Sequence, residues 1–266
     1  MHLKERTMNL QLENKTALVT GSTKGIGFAI ARWLAQEGAN VIMNGRSEAS
    51  TRAAAEKIGP RARGVAADVS TAAGCDALLK QLPAVDILVN NAGIFEPKPF
   101  AEIPDADWDR FYQVNVMSGV RLTRAYLPGM LQRNWGRVVF ISSESGVQIP
   151  EEMIHYGMTK AAELALVNGI AQLTKGTAVT VNAVLPGPTA SEGVTDFVGQ
   201  LASQAKQTPA EFEKEFFRSV RPTSLLQRFA TVDEVAATVA FICSPLASAT
   251  NGAAVRVHAG VVRATV

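Results

Sequence analysis

The sequence predicts a doubly wound α/β fold, in which a mostly parallel sheet of seven strands carries helices on both faces. Short apolar runs rich in β-branched residues alternate with longer stretches of helical periodicity over most of the chain. Several of the runs end in small or amide-bearing residues, which suit strands that border a ligand crevice. No linker divides the chain, so we expect one Rossmann-like domain over residues 1–266, with an insertion at about residues 188–228.

The bulk composition fits a globular enzyme. The chain has 266 residues, of which 47% are hydrophobic, and this supplies enough apolar material for a large core. The 26 Lys and Arg residues nearly balance the 24 Asp and Glu residues, without a basic block, which argues against a nucleic-acid partner.

Neither a metal site nor a membrane anchor is indicated. The two cysteines, Cys75 and Cys243, lie far apart, and the three histidines show no ligand spacing. No secretion leader is recognisable, and no stretch approaches 18 uninterrupted apolar residues. We therefore expect a cytoplasmic protein that has no metal ion and does not associate with a membrane.

The seven strands and the helices between them can be placed from periodicity. The expected strands are residues 16–20, 40–44, 63–67, 85–89, 136–141, 177–184 and 253–257. The main expected helices are residues 26–34, 72–82, 103–133, the segment that follows residue 155, and residues 232–243.

A glycine-rich turn joins the first strand to the first helix. Its residues are Gly21, Ser22, Thr23, Lys24, Gly25, Ile26 and Gly27. Glycine is needed where the backbone turns tightly and approaches a ligand, and the N-terminus of a helix attracts a pyrophosphate. The GxxxGxG spacing differs from the commonest dinucleotide motif, GxGxxG, so a turn that binds nothing remains the alternative.

The tip of the second strand favours NADP over NAD. An acidic residue at this point of a dinucleotide-binding fold takes the ribose hydroxyl, whereas an arginine accommodates a 2′-phosphate. Here the strand ends without an acid, Arg46 follows at once, and Lys24 adds a second cation. NAD stays possible, because both cations would also suit an ordinary solvated surface, and Glu48 lies close by.

A tyrosine and a lysine form the candidate catalytic pair. Tyr156 precedes Lys160 by four residues, ahead of the apolar run 161–167, so the first turn of a helix would place both on one face. Such a pair can share one ligand, although a solvated helix face has the same spacing. Asn115 lies inside the long predicted helix. Because asparagine is a mediocre helix former, this residue is either exposed to solvent or has a functional role.

The insertion departs from the βα rhythm. It contains two amphipathic pieces, residues 194–205 and 209–220, which carry Phe197, Phe212, Phe216 and Phe217. An aromatic segment beside a crevice resembles an active-site lid. For most of these phenylalanines, packing on the body of the domain or on another subunit is the simpler interpretation.

Together these motifs resemble those of the short-chain dehydrogenase/reductase superfamily. The resemblance runs from about residue 12 to residue 262 and rests on the glycine turn, residues 68–69, residues 90–93, Asn115, Ser143, Tyr156, Lys160 and residues 186–187. Thirteen residues separate Ser143 from Tyr156, as in the family, and this favours Ser143 over Ser142. The chain is most similar to the single-domain enzymes that include 3-oxoacyl-carrier-protein reductases.

The resemblance implies roles for individual residues. Tyr156 would be the acid or base, Lys160 would lower its pKa and bind the ribose, Ser143 would hold the substrate oxygen, and Asn115 would hold a water. The expected cofactor contacts are Gly21, Ser22, Thr23, Lys24, Gly25, Ile26, Gly27, Arg46, Asp68, Val69, Asn91, Gly93, Tyr156, Lys160, Pro186, Gly187 and Thr189.

Two positions depart from the family pattern. The last strand leads into His258-Ala259-Gly260, where relatives often have Asp-Gly-Gly, so the C-terminal segment could pack or pair subunits differently. Relatives also tend to carry a basic residue near Ala190, and its absence puts an anionic substrate contact in doubt.

The first functional hypothesis is an NADP-dependent oxidoreductase that transfers a hydride between nicotinamide and a carbonyl or secondary alcohol of a small or medium organic substrate. The alternatives are a 3-oxoacyl-carrier-protein or acyl-CoA reductase, for which Arg121 and Arg124 would be a docking surface or else a solvated face, and a non-catalytic nucleotide-binding regulator. Expected pocket walls are Ile94, Phe95, Glu144, Gln148 and Met153. Resemblance also implies a homo-oligomer, with a tetramer expected and a dimer possible.

Overall fold

The computed structural model describes residues 9–194 and 207–265. Its strands are β1 (Thr16–Val19), β2 (Asn40–Gly45), β3 (Ala62–Ala66), β4 (Ile87–Asn90), β5 (Gly136–Ile141), β6 (Val179–Pro186), β7 (Thr189–Ala190), β8 (Ala230–Thr231) and β9 (Ala254–Val257). Its α-helices are α1 (Gly25–Gln36), α2 (Glu48–Ile58), α3 (Ala72–Gln81), α4 (Asp105–Phe111), α5 (Ser118–Gln132), α6 (Ile154–Gln172), α7 (Pro209–Ser219) and α8 (Val232–Cys243).

Seven of the strands form one parallel sheet, in the order β3-β2-β1-β4-β5-β6-β9. The chain builds the sheet outward from β1 in one direction and then outward from β4 in the other. Between β1 and β4 the order therefore reverses, and such a switch point opens a crevice at the carboxyl ends of the strands. The predicted doubly wound α/β fold with seven parallel strands is confirmed.

The core lies on both faces of the sheet. In β1, Ala17 and Val19 pack into the layer that contains α1 and α8, whereas Leu18 packs into the opposite layer with α3, α5 and α6. This alternation follows from the two-residue period of a strand. Since both faces are covered, the central strands are apolar throughout, as their sequences indicated.

The helix predicted over residues 103–133 is interrupted. It runs from Asp105 to Gln132, but residues Tyr112–Met117 form a π-helical turn between α4 and α5. Pro104 is in an extended conformation and ends the helix on its N-terminal side. The π-turn contains Asn115, and an extra residue in a helical turn is often found at functional sites.

The insertion adds a short parallel pair, β7 with β8, beside the main sheet. The helix predicted over residues 209–220 is present as α7, and it begins with a capping box formed by Thr208 and Glu211 around Pro209. Most of the helix predicted over residues 194–205 lies outside the described residues, and so does Phe197.

Across residues 9–194 and 207–265, no helix is both long and apolar enough to cross a membrane. Over the same residues, the structure does not bring together a group of three or more His, Cys, Asp or Glu side chains able to hold a metal ion. Cys75 and Cys243 are both buried free thiols.

Candidate active site

A cavity of about 540 Å³ opens at the carboxyl ends of β4, β5 and β6. Nine of the residues that the sequence singled out for cofactor binding or catalysis line it: Ile26, Asn91, Gly93, Ser143, Tyr156, Lys160, Pro186, Gly187 and Thr189. Of the expected pocket walls, Ile94, Phe95, Glu144 and Met153 also line it, whereas Gln148 is exposed outside it. The topology thus brings distant segments of the chain to one place.

The glycine turn is packed tightly against the tip of β4. The Asn91 side chain donates to the carbonyl oxygens of Thr20 and Gly21, at 2.9 and 3.0 Å. A Cβ atom at Gly27 would lie 2.4 Å from Nδ2 of Asn91, so a side chain does not fit there without displacing the turn. Close backbone packing of this kind is what a phosphate-binding turn requires.

An anionic group already contacts the start of α1. The backbone N–H of Gly25 donates to a carboxylate oxygen of Glu192 at 2.6 Å. A carboxylate at this position shows that the first turn of α1 can accept negative charge, as the free N–H groups and the helix dipole predict.

Lys24 and Arg46 are both exposed near the ends of β1 and β2. Neither of them forms an ion pair with a residue of the described ranges. Of the other predicted contacts, Ser22 and Gly27 are buried beneath the turn, Asp68 is exposed and Val69 is buried beyond β3.

Ser143 lies at the tip of β5 and Tyr156 in the first turn of α6. The Ser143 hydroxyl is buried and accepts a hydrogen bond of 3.1 Å from the backbone N–H of Ser145. The neighbouring Ser142 is turned elsewhere, since its hydroxyl donates to the carbonyl oxygen of Lys160 at 2.9 Å. The two adjacent serines therefore have different environments, and only Ser143 is close enough to influence the Tyr156 phenol.

Burial raises the pKa of Tyr156 above its ordinary value in the protein without cofactor. The charge of Lys160 and a contact with the Ser143 hydroxyl act in the opposite direction and do not overcome burial. Lys160 thus acts on the pKa of this phenol in the expected direction, but burial outweighs its contribution in the protein without cofactor. The physical reason is the loss of hydration around a half-buried phenol.

Lys160 is buried, and its ammonium group is bonded to two acceptor groups. Its Nζ donates to the carbonyl oxygen of Ile141 at 2.9 Å and to the carboxylate of Glu163 at 2.9 and 3.2 Å. Nζ lies 5.8 Å from the centre of the Tyr156 ring. Because Glu163 belongs to a run that reads as apolar in the sequence, its role was missed, although its position three residues after Lys160 places it on the same helix face.

Both N–H groups and the oxygen atom of the Asn115 side-chain amide form hydrogen bonds within the protein. Its Oδ1 accepts from the backbone N–H of Ile94 at 2.8 Å, and its Nδ2 donates to the Ile94 carbonyl oxygen and to Thr159 Oγ1, at 3.0 and 2.9 Å. No side-chain N–H is left for the water predicted at Asn115. Such a water must therefore donate to an oxygen atom of this residue.

Comparison with known proteins identifies the family. Residues 15–202 match the family described as short chain dehydrogenase. The chain belongs to the short-chain dehydrogenase family. It is an oxidoreductase of that family, and the resemblance stated from its sequence motifs is confirmed.

The relatives of this short-chain dehydrogenase match it over nearly its whole length. It is 48% identical to the uncharacterized oxidoreductase YvaG of Bacillus subtilis (strain 168) over 261 residues, which cover 96% of this chain and 99% of the relative. It is 34% identical to the 3-oxoacyl-[acyl-carrier-protein] reductase FabG of Aquifex aeolicus, with 95% and 99% covered. The crystal structure of L-sorbose reductase from Gluconobacter frateurii, complexed with NADPH and L-sorbose, superposes with a TM-score of 0.90 at 30% identity, covering 97% and 100%.

The insertion of this dehydrogenase forms one wall of the cavity. Phe212 and Phe216 line the cavity, whereas Phe217 is almost fully buried. The rings of Phe216 and Phe217 each lie 5.2 Å from the ring of Phe229. The simpler interpretation therefore holds for Phe217, which packs the insertion on the body, whereas the lid stays a prediction.

An ion-pair cluster that the sequence analysis missed joins the insertion to the floor of the cavity. Arg221 donates from Nε to Oε1 of Glu144 at 3.0 Å and from Nη1 to Glu152 at 3.3 Å. Glu144 is buried, and its other oxygen, Oε2, makes no hydrogen bond to the described residues. Burial raises the pKa of Glu144, and Arg221 opposes this. No sequence motif links residues so far apart.

The two departures from the family pattern have structural counterparts. Residues 258–261 are hydrogen-bonded to the insertion. The backbone N–H of Leu225 donates to the Ala259 carbonyl oxygen at 2.7 Å, and the Thr223 hydroxyl donates to the Val261 carbonyl oxygen. Ala190 forms part of β7 and is exposed. From the insertion, Arg221 is a cation that lines the cavity among the described residues.

Proposed function

We propose that this dehydrogenase uses NADP and transfers a hydride between nicotinamide and a carbonyl or secondary alcohol of a small or medium organic substrate. The observation that carries the proposal is the meeting of Ser143, Tyr156 and Lys160 on one wall of the cavity beside the glycine turn. These three side chains supply a hydroxyl donor, an ionisable phenol and a buried cation within one site. A nucleotide-binding regulator has no chemical need for that combination.

The residues present fit a dinucleotide. Gly27 has no room for a Cβ atom, and the N–H of Gly25 already holds a carboxylate. We assign the preference for NADP to Lys24 and Arg46, which are exposed at adjacent strand tips and are free of ion pairs within the described ranges. L-sorbose reductase, a similar structure, was crystallised with NADPH.

The proposed chemistry divides between the cofactor and the chain. When bound, the cofactor supplies or accepts the hydride. Tyr156 gives a proton to the substrate oxygen in reduction and takes it back in oxidation. Ser143 donates a hydrogen bond to the same oxygen and stabilises the negative charge that develops there. Lys160 stabilises the phenolate by its charge.

The cavity suits a substrate with an apolar part. Its walls are mainly aliphatic and aromatic, with Phe95, Met153, Phe212 and Phe216 among them, and its charged cluster at Arg221 is balanced by two carboxylates. Both described cations that line the cavity, Lys160 and Arg221, are already paired with carboxylates, so neither is free for a strongly anionic substrate. An uncharged ketone, aldehyde or sugar is the class that we propose.

An acyl thioester is the second candidate substrate, because the chain is 34% identical to a 3-oxoacyl-[acyl-carrier-protein] reductase over 95% of its length. Arg124 on α5 is exposed and would be available to an acidic carrier, whereas Arg121 already donates to the Ser70 carbonyl oxygen. We further propose a homo-oligomer, a tetramer or a dimer, and a cytoplasmic location, which suits two free thiols.

The test is to follow the absorbance of NADPH and of NADH, separately, with a panel of ketones, aldehydes, sugars and acyl thioesters. We expect turnover with NADPH. The class of compound that is turned over fastest identifies the substrate class. Arg46→Ala and Lys24→Ala should each weaken NADPH binding about ten- to a hundred-fold, the loss of one charge-assisted bond, and leave NADH unchanged. Lys57→Ala, an exposed lysine on α2, is the matched control. A clear preference for NADH would contradict the assignment, and no turnover with any substrate would contradict the function.

A further inference from the structure

The catalytic lysine proposed above has a buried counter-ion. Lys160 and Glu163 are both buried, with side chains 5% and 2% exposed, and their charged atoms are 2.9 Å apart. Buried carboxylates are rare in proteins unless they are paired. Glu163 also lies close to Ser142, whose hydroxyl holds the backbone of Lys160.

Counting donors shows what the carboxylate does for the lysine. An ammonium group has three N–H donors. One N–H goes to the Ile141 carbonyl oxygen and one is shared by the two oxygens of Glu163, at 2.9 and 3.2 Å, and this leaves a single donor for a ligand in the cavity that Lys160 lines. Glu163 therefore fixes the direction of the remaining donor.

Counting charges shows what the carboxylate does for the phenol. With Tyr156 protonated, the group of Tyr156, Lys160 and Glu163 has no net charge, and ionisation of the phenol leaves it with one negative charge in a buried place. The negative charge of Glu163 therefore raises the pKa of Tyr156, against the effect of Lys160.

The other groups around this site do not provide the same effect. Glu144 also faces Tyr156, but Arg221 balances its charge. Ser142 and Ser143 at the tip of β5 are neutral, and so are Asn115 and Thr159, which hold the π-turn against α6. Glu163 is thus the acidic group, among the described residues, that is bonded directly to the lysine.

We propose that Glu163 is a positioning residue, which orients Lys160 and offsets its positive charge, so that the Tyr156 phenol holds its proton more firmly than it would beside an unpaired lysine and the site favours donation of that proton to a carbonyl oxygen. This rests on the proposed function and adds to it that reduction of a carbonyl is favoured near neutral pH. Burial raises the pKa of Glu163 to about 7, so its charge, and its effect on the phenol, grows as the pH rises through neutrality.

The direct test measures the ionisation of Tyr156 without substrate or cofactor. Protein labelled with carbon-13 at tyrosine Cζ is titrated by NMR, and Tyr156→Phe identifies the signal among those of the three tyrosines. In Glu163→Gln, which keeps the shape and removes the charge, Tyr156 should titrate about one pH unit lower than in the unchanged protein. Glu163→Asp, which withdraws the carboxylate by one methylene, should shift it in the same direction by less. An unchanged or higher titration point in these variants would overturn the proposal.

The control and the activity measurement separate the two proposals. Glu56→Gln removes an exposed carboxylate that pairs with Arg52 on α2, and it should leave the Tyr156 titration unchanged. In Glu163→Gln the rate of alcohol oxidation should begin to rise at a lower pH, because the Tyr156 phenol then ionises at a lower pH. If the phenol signal shifts and no substrate is turned over, the proposed function is contradicted and the role of Glu163 is not. If the enzyme is active and the titration point of Tyr156 is unchanged, the role of Glu163 is contradicted and the proposed function is not.

Discussion

The Gly25 amide at the start of α1 donates to the carboxylate of Glu192, at 2.6 Å, across 167 residues of sequence. Glu192 belongs to the insertion, and Gly25 belongs to the turn where we place a cofactor phosphate. The two anions would compete for the same N–H group, because a donor of this kind serves one acceptor well at a time.

Glu192→Gln should therefore tighten the binding of NADPH. The affinity for NADPH should rise about three- to ten-fold, because the competing hydrogen bond is weakened by roughly 1 kcal/mol. A fluorescence titration that gives the dissociation constant measures this gain. Glu215→Gln, on the exposed face of α7, serves as the control. Unchanged or weaker binding in Glu192→Gln would contradict competition at Gly25.

Tyr156→Phe should abolish turnover while it preserves the cofactor site. Loss of a positioned general acid costs about 10²- to 10⁴-fold in kcat, whereas the ring still packs near Phe95, with ring centres 6.4 Å apart in the present structure. Steady-state kinetics and an NADPH titration measure the two effects. Residual activity within ten-fold of the unchanged protein would assign the proton transfer to another group.

Removal of Arg221 should cost more stability than removal of Arg221 together with Glu144. Arg221→Met leaves the buried Glu144 carboxylate without its partner, which costs about 3–5 kcal/mol in comparable pairs. The double variant Arg221→Met with Glu144→Gln removes the unpaired charge and should recover part of this loss. Denaturant unfolding of the unchanged protein, of Arg221→Met, of Glu144→Gln and of the double variant measures the difference. Additive losses would show that the two side chains are not coupled.

His155 should make the protein less stable as the pH falls. It is fully buried, with neither ring nitrogen hydrogen-bonded to the described residues, and its ring centre lies 4.0 Å from that of Phe111. Burial lowers its pKa below the ordinary value of 6.5. The unfolded chain then binds more protons than the folded protein below that pH, so the free energy of unfolding falls as the pH decreases.

The measurement compares urea unfolding of the unchanged protein and of His155→Phe between pH 7 and pH 5. Each proton taken up on unfolding contributes a slope of about 1.4 kcal/mol per pH unit, and the variant should lack up to that amount. Some slope should remain, because burial also lowers the pKa of His258. Equal slopes in the two proteins would indicate that His155 binds its proton as readily in the folded protein as in the unfolded chain.

The sheet could be predicted from the sequence because each strand is marked locally. Apolar runs such as β4 and β5 are bounded by polar or glycine residues, and a parallel α/β order follows from the alternation with helices. The ends were less certain. We predicted the sixth strand from residue 177, but Thr177 is held in a turn by its hydrogen bond to the Thr174 carbonyl oxygen, and β6 begins at Val179.

Helix α2 was not predicted, although its alanine-rich sequence favours a helix, and two further elements escaped prediction for physical reasons. The pair of β7 and β8 has only two residues in each strand, and no periodicity can show at that length. The π-turn at Tyr112–Met117 depends on Asn115 binding Ile94 and Thr159, and these contacts join parts of the chain that the sequence does not place side by side.

The predicted site residues that line the cavity are those that stand in recognisable motifs. Ser143, Tyr156 and Lys160 follow a spacing, whereas Arg221 and Glu192 act through single contacts across large separations and have no spacing to recognise. Glu163 could have been found, because it shares the face of α6 with Lys160. The net pKa of Tyr156 could not, since it depends on how deeply the folded protein buries the phenol.

Phe212 and Phe217 divide two tasks between opposite sides of α7. Phe217 is buried against Phe229 and anchors the helix, whereas Phe212 faces the cavity and is not part of that aromatic cluster. A change of the residue at position 212 can therefore reshape the cavity wall without loosening the attachment of the helix.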